Sequence, residues 1–301
     1  MRILRKEFAG IKVYWIIIVL VLSIFAITMG SKFDRELAHA LFQENSKFSN
    51  IFAILGKAPA YSLFGFSGVL YFISEKNCPK SWRKILAYVA CFLIPIGFGA
   101  LYGYDDFIGA MDNKILAIFL GILTVALVDV GLFFLFKDVK YDIALKAALF
   151  IFFTGVVLFL AFFGLKYAGL RPRFKYIVAM DVDYYKNWWD FDRSLLESFT
   201  YEDLSSLPSG HTGFAAASIM FALLSTFSEK TKKFSWIFAL VSLVFTLVVG
   251  FSRMLDGSHY LSDVGWGMTI SYIIVFVFAV CFYSSKENEG ESEDAIENEK
   301  E

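Results

Sequence analysis

Apolar runs of membrane-spanning length recur along these 301 residues, and one of the turns between them is dense in ionisable groups: Ser252-Arg253-Met254-Leu255-Asp256-Gly257-Ser258-His259-Tyr260-Leu261-Ser262-Asp263. A spanning helix needs about 20 predominantly apolar residues. The runs that meet or approach this are Val13 to Met29, Ile51 to Ile73, Ile85 to Tyr102, Ile115 to Phe136, Ile143 to Leu165, Pro208 to Phe227, Phe234 to Phe251 and Val264 to Tyr283. The expected fold is all-α, a polytopic membrane protein of about eight transmembrane helices. Composition agrees, since 57% of residues are hydrophobic and 35 are Phe, against about 45 to 50% apolar in soluble domains. The net charge of -1 is spread over the ends and the short turns, with no basic face for a phosphate backbone, so no nucleic-acid partner is expected. Cys78, Cys91 and Cys281 lie far apart without metal-like spacing, and no structural disulfide is expected.

Orientation follows from the basic turns. Arg2, Arg5, Lys6 and Lys12 precede the first run; Lys76, Lys80, Arg83 and Lys84, then Lys137, Lys140 and Lys146, then Lys230, Lys232 and Lys233 fall at alternate turns. Short loops rich in Lys and Arg stay cytoplasmic, so both termini are expected inside. The first run is long, lacks a clean cleavage site and is followed by further spans, which reads as a retained helix rather than a signal peptide. Residues 1–284 form the expected membrane domain, and 285–301 an acidic, disordered cytoplasmic tail. Phe33 to Asn50 reads as an amphipathic helix on the outer surface, with Phe33, Leu37 and Leu41 at four-residue spacing. Lys57 would snorkel from the outer end of the second run, Pro95 would kink the third, and Asp105, Asp106 and Asp112 would lie in an outer loop. Asp129, inside the fourth run, is either functional or a structural carboxylate near the cytoplasmic end, hydrogen-bonded to another helix or solvated at the boundary. The long connection before Pro208, with Tyr184, Tyr185, Trp188 and Trp189, reads as a cap or entry element at headgroup level.

This alternation brings three distant stretches to one outer face: 166 to 173, 208 to 211, and 252 to 263. Each alone has a plain structural reading, as headgroup anchors, a helix cap or a polar loop. Together they gather cations, two histidines and a carboxylate. Lys166, Arg173 and Arg253 supply charge-assisted donors for an anionic, phosphorylated ligand. Ser209 and Gly210 precede a helix whose N-H groups can join the same anion site. A neutral His259 can attack phosphorus if a carboxylate holds its other nitrogen, and Asp263 lies one turn later if this stretch is already helical. His211 can donate to the leaving oxygen and then activate water. Two histidines without a second clustered carboxylate make a poor divalent-metal centre, so no metal and no cofactor are expected.

At these residues the chain resembles the type 2 phosphatidic acid phosphatase family of membrane-bound lipid phosphatases, which shares a core with vanadium haloperoxidases. Lys166 to Arg173 has the spacing of the family's first motif, Pro208-Ser209-Gly210-His211 is the second in full, and 252 to 263 carries Ser-Arg, five residues, His, three residues, Asp. The family usually has proline after the first motif's arginine, where this chain has Phe174 preceded by Arg171-Pro172. The resemblance implies a helical core like that family's, His259 as phosphohistidine nucleophile, Asp263 as its orienter, His211 as acid and base, and Lys166, Arg173, Ser209, Gly210 and Arg253 on the phosphate. It implies a lipid phosphatase in a cell membrane with its site on the extracytoplasmic side. The substrate would be a lipid phosphate or pyrophosphate such as undecaprenyl pyrophosphate, phosphatidylglycerol phosphate or phosphatidic acid. Phosphotransfer to another lipid through the same intermediate, and a non-catalytic lipid transporter or binding protein, are the competing readings. Most members resemble six-helix proteins. The additional pair, among the second to fourth runs, either shapes a lipid groove or mediates packing and contacts in a homo-oligomer.

Overall fold

The computed structural model describes residues 6–107, 111, 113–181, 183–191, 193–197 and 199–284. Arg2, Arg5, Asp112 and the tail 285–301 therefore lie outside the described residues. A two-residue hairpin, β1 (Glu7–Phe8) and β2 (Ile11–Lys12), leads into an otherwise all-α chain. The helices are α1 (Val13–Leu41), α2 (Lys47–Leu55), α3 (Ala58–Glu75), α4 (Ser81–Tyr102), α5 (Lys114–Phe136), α6 (Tyr141–Gly169), α7 (Phe174–Met180), α8 (Gly210–Ala217), α9 (Phe221–Ser225), α10 (Glu229–Lys232), α11 (Ser235–Leu255) and α12 (Leu261–Tyr283). A π turn, Gly103–Phe107, extends α4.

Among the described residues, six helices are long and apolar enough to cross a membrane: α1, α4 with its π turn, α5, α6, α11 and α12. Their outward faces carry exposed Ile24, Phe25, Phe92, Leu127 and Phe134, as lipid-facing surfaces of a multi-pass membrane protein do. The remaining two apolar runs became interior helices. Residues 60 to 70 of α3 are buried throughout, and α8 and α9 are joined by a short 3-10 turn at Ser218–Met220. Gly68 lets α3 close on α4, because a Cβ there would lie 2.5 Å from the Ala90 carbonyl oxygen. Helix α3 also packs on α6, α1 packs on α12, and α8 is held between α11 and α12. Rings of Tyr61 and Phe214 stack at 5.2 Å, with Phe64, Phe98 and Phe162 around them, at the centre of the core.

Three expectations change. The first helix does not stop near Met29 before a separate surface helix; α1 continues to Leu41. Its Asp34 is buried and accepts from Arg171 Nη2 at 2.9 Å and from the Ser262 backbone N-H at 3.1 Å, so a charge that looked destined for water has partners inside. The second run is broken at Gly56-Lys57 into α2 and α3. Lys57 is buried rather than snorkelling, with Asp105 at 2.6 Å and Asp106 at 2.8 Å. Asp129 is also buried, and its two carboxylate oxygens have no hydrogen-bond partner among the described residues, rather than a bond to a neighbouring helix.

The long connection packs back on the ends of α1 and α12. Trp188 Nε1 donates to Ser31 Oγ at 2.8 Å and its ring meets Trp266 at 5.1 Å, while Tyr185 lies edge-on to Tyr260 at 5.6 Å.

Candidate active site

Residues 170 to 173 run alongside 203 to 206. Ser206 N-H donates to the Arg171 carbonyl at 3.1 Å, Arg173 N-H donates to the Asp203 carbonyl at 2.8 Å, and Arg171 and Ser205 form a parallel bridge. This pairing ties the end of α6 to the start of α8. The third stretch joins through Gly257, whose carbonyl accepts from Lys175 N-H at 3.0 Å. Gly257 has φ +65° and a Cβ there would press on Lys175 N at 2.9 Å, so only glycine suits this turn. The result is one cavity of about 520 Å³ lined by Arg173, Lys175, His211, Arg253, His259 and the acidic Asp105, Asp106 and Asp256, among others.

His259 is buried in the turn between α11 and α12. Its Nδ1 lies 2.5 Å from the Ser206 carbonyl oxygen, which can only accept, so Nδ1 carries the ring proton and Nε2 keeps its lone pair. Burial, reinforced by the Arg173 and Lys166 cations, holds its pKa well below the usual histidine value, so the ring is neutral near pH 7. A neutral imidazole with a free Nε2 is a competent nucleophile.

Asp263 is placed differently from its sequence expectation. Helix α12 begins at Leu261, leaving His259 outside it, so the two side chains are not on one helical face. Asp263 accepts from the Tyr260 N-H at 2.9 Å, from Ser206 Oγ at 2.5 Å and from Arg171 Nη1 at 2.6 Å. Its link to His259 passes through Ser206, whose hydroxyl meets the carboxylate and whose carbonyl meets the ring. Arg171 is fully engaged as a clamp between Asp34 and Asp263, and Tyr260 covers the guanidinium at 4.0 Å.

Arg173 and Arg253 line the cavity with His211 and His259, while Lys166 lines the neighbouring groove that shares Asp105. Lys166 Nζ approaches Gly210, lying 3.6 Å from where a Cβ would stand there. Arg173 donates to Ser205 Oγ at 2.7 Å, and its Nε has no partner among the described residues. Arg253 is buried, bonded to the Ser49 carbonyl and to Asp256 at 3.1 Å. Ser209 caps α8: its Oγ bonds Thr212 Oγ1 at 2.8 Å and its N-H donates to the Asp263 carbonyl at 3.0 Å. Its hydroxyl thus sets the start of the helix, and Gly210 is the member of this pair beside Lys166.

Several residues of the site escaped sequence reasoning. Lys175 lines the cavity, its pKa lowered by burial and then by Arg173. Ser206 lies two residues before the Pro-Ser-Gly-His motif and nothing in its local pattern marks it. Asp105, Asp106 and Lys57 come from outside the three motifs. Burial opposes the charge on Lys57, but Asp105 and Asp106 outweigh it and raise its pKa. The one available signal was a lysine and two aspartates at the ends of otherwise apolar runs.

No match was found among curated proteins or among solved structures. Residues 144–287 match the family model described as the PAP2 superfamily, and that stretch carries all three motifs.

Proposed function

We propose that this protein hydrolyses a phosphomonoester or pyrophosphate on a membrane lipid, through a phosphoryl-His259 intermediate, at the extracytoplasmic face. The observation that carries the reading is His259 itself: buried, neutral, its Nδ1-H fixed by the Ser206 carbonyl, facing a cavity shared with Arg173, Arg253 and His211. In the first step the Nε2 lone pair attacks phosphorus and the bond to the leaving oxygen breaks; that oxygen takes a proton from His211. In the second, His211 takes a proton from water, the water oxygen attacks phosphorus, and the P-N bond returns its electron pair to Nε2. Lys166, Arg173 and Arg253, with the N-terminus of α8 at Gly210, stabilise charge on the non-bridging oxygens.

A lipid chain has a path to this centre. Leu101, Tyr104, Phe159, Phe163 and Phe214 line an apolar groove of about 220 Å³ that reaches Asp105, Lys166 and Gly210. The headgroup would occupy the polar cavity and the chain this groove. The outward orientation is supported by the basic clusters at the opposite turns. The carboxylates nearest His211 already have Lys57 as their cation, which supports metal-independent chemistry, and turnover is expected to survive EDTA.

The test is phosphate release by purified protein from undecaprenyl pyrophosphate, phosphatidylglycerol phosphate, phosphatidic acid and the soluble analogue farnesyl pyrophosphate. Wild type should release phosphate from at least one, with His259→Ala and His211→Ala each reduced by at least about 100-fold. Undiminished turnover in His259→Ala would discard the covalent intermediate. Phosphate found on a lipid acceptor instead of in solution would identify a transferase.

A further inference from the structure

His211 Nε2 is hydrogen-bonded to the Ala53 carbonyl oxygen at 3.1 Å and lies at the same distance from Asp106 Oδ1, an ion-pair contact in which the buried carboxylate has no hydrogen-bond partner among the described residues. The Ala53 carbonyl can only accept, so Nε2 carries the ring proton and Nδ1 is the nitrogen left to exchange one. Both groups come from chain outside the matched stretch, Ala53 on α2 and Asp106 on the π turn after α4. The Asp106 side chain is fully buried, so this is an interior contact and not a surface encounter.

We infer that Asp106 is the positioning residue of His211: it lies against the Nε2 side of the ring and supports the charge that the ring must carry when Nδ1 acts as the acid. The inference rests on the phosphoryl-transfer reading above. In the step that expels the leaving group, His211 must be an imidazolium. Lys57, Arg253 and Lys166 are cations near the ring and oppose a further positive charge there, while His259 is neutral. Asp105 and Asp106 are the carboxylates set against them, and Asp106 is the one in contact. Lys57 completes the device. Its ammonium lies 2.8 Å from the same Asp106 oxygen that meets His211, so the carboxylate is shared between the lysine and the ring.

A purely structural role, with Asp106 serving only as counter-ion to Lys57, is already filled by Asp105. Asp105 lies 2.6 Å from Lys57 Nζ and is further held by Tyr61 Oη at 3.2 Å. The second carboxylate is the one turned toward the histidine. A π turn suits this, since its wider winding directs Asp105 and Asp106, adjacent in sequence, onto one lysine while leaving one of them against α8.

The experiment compares wild type with Asp106→Asn and Asp106→Glu, using short-chain phosphatidic acid and farnesyl pyrophosphate as probes. Asn keeps the size and shape of the side chain and leaves the Nε2 bond to Ala53 in place, but carries no charge. Asp106→Asn should lower kcat by about 10- to 100-fold with KM changed by less than about threefold. Loss of the anion makes the imidazolium harder to form, so the alkaline limb of kcat should move to lower pH, and Asp106→Glu should recover part of both effects. A readout independent of turnover is the NMR titration of His211 in protein with labelled histidine, assigned by His211→Gln: its midpoint should fall in Asp106→Asn. An unchanged midpoint overturns the positioning role, as does a folded Asp106→Asn protein with wild-type kcat and pH profile. A kcat loss with an unmoved profile and no rescue by Glu also overturns it. If wild type releases no phosphate from either probe while the midpoint shifts, the contact stands and the catalytic reading fails.

Discussion

At the scale of single residues, two arginines two positions apart have separate work. Arg173 faces the cavity and its charge helps keep His259 neutral. Removing it in Arg173→Gln should raise KM by about tenfold or more, through the lost charge-assisted phosphate contact. The same change relieves a cation that opposes protonation of His259. The His259 pKa therefore rises, and the acid limb of kcat/KM, where the nucleophile is lost to protonation, should move to higher pH. In wild type that limb should lie below the ordinary histidine value of 6.5. Arg171 lies behind the site between Asp34 and Asp263. In Arg171→Met two buried carboxylates lose their shared cation, and breaking such a pairing costs about 3 to 5 kcal/mol. Thermal unfolding in detergent should show a large loss of stability, with phosphate release lost because Asp263 no longer holds Ser206.

At the scale of helices, α3, α4 and α5 form one of the units outside the matched stretch 144–287 that reach the site. Its contribution is concentrated at one end, where Lys57 starts α3 and Asp105 and Asp106 end the extended α4. The rest of the unit is packing. Gly68→Val would force α3 away from the Ala90 carbonyl and shift that end, so it should lower both stability and turnover. Asp129 is far less demanding. It sits beside an apolar pocket with Phe72, Phe92 and Phe133, its carboxylate unpartnered among the described residues. Replacing an unsatisfied buried polar group by an apolar one of similar size removes a desolvation cost of about 1 to 3 kcal/mol. Asp129→Leu should therefore unfold at an equal or higher temperature with phosphate release unchanged, and a loss of activity would give Asp129 a function the present site does not.

At the scale of the whole molecule, the site is assembled from most of the chain. The stretch 144–287 carries His259, His211 and the cations Lys166, Arg173 and Arg253, but α1 supplies Asp34 to the clamp behind Asp263, α2 supplies the Ala53 carbonyl, and the π turn supplies Asp106. A fragment beginning at α6 would keep all three motifs yet lack these partners. Expressed alone, residues 141–284 should show no phosphate release in the assay that detects it in the full chain.

The helical, membrane-embedded character and the convergence of Lys166, Arg173, His211, Arg253 and His259 were legible in sequence, because run length and motif spacing are local properties that one chain displays by itself. Interior helices such as α3 were legible only as weak apolar runs, since burial against other helices relaxes the demand for hydropathy that lipid imposes. Tertiary structure alone decided how the groups pair. Whether Asp263 meets His259 depended on where α12 starts, and it starts at Leu261, after His259; Asp34 and Lys57 read as water-facing charges, yet Arg171 and Asp106 lie beside them. Partners tens to more than a hundred residues away in sequence leave no periodicity and no spacing to read; only packing brings them together.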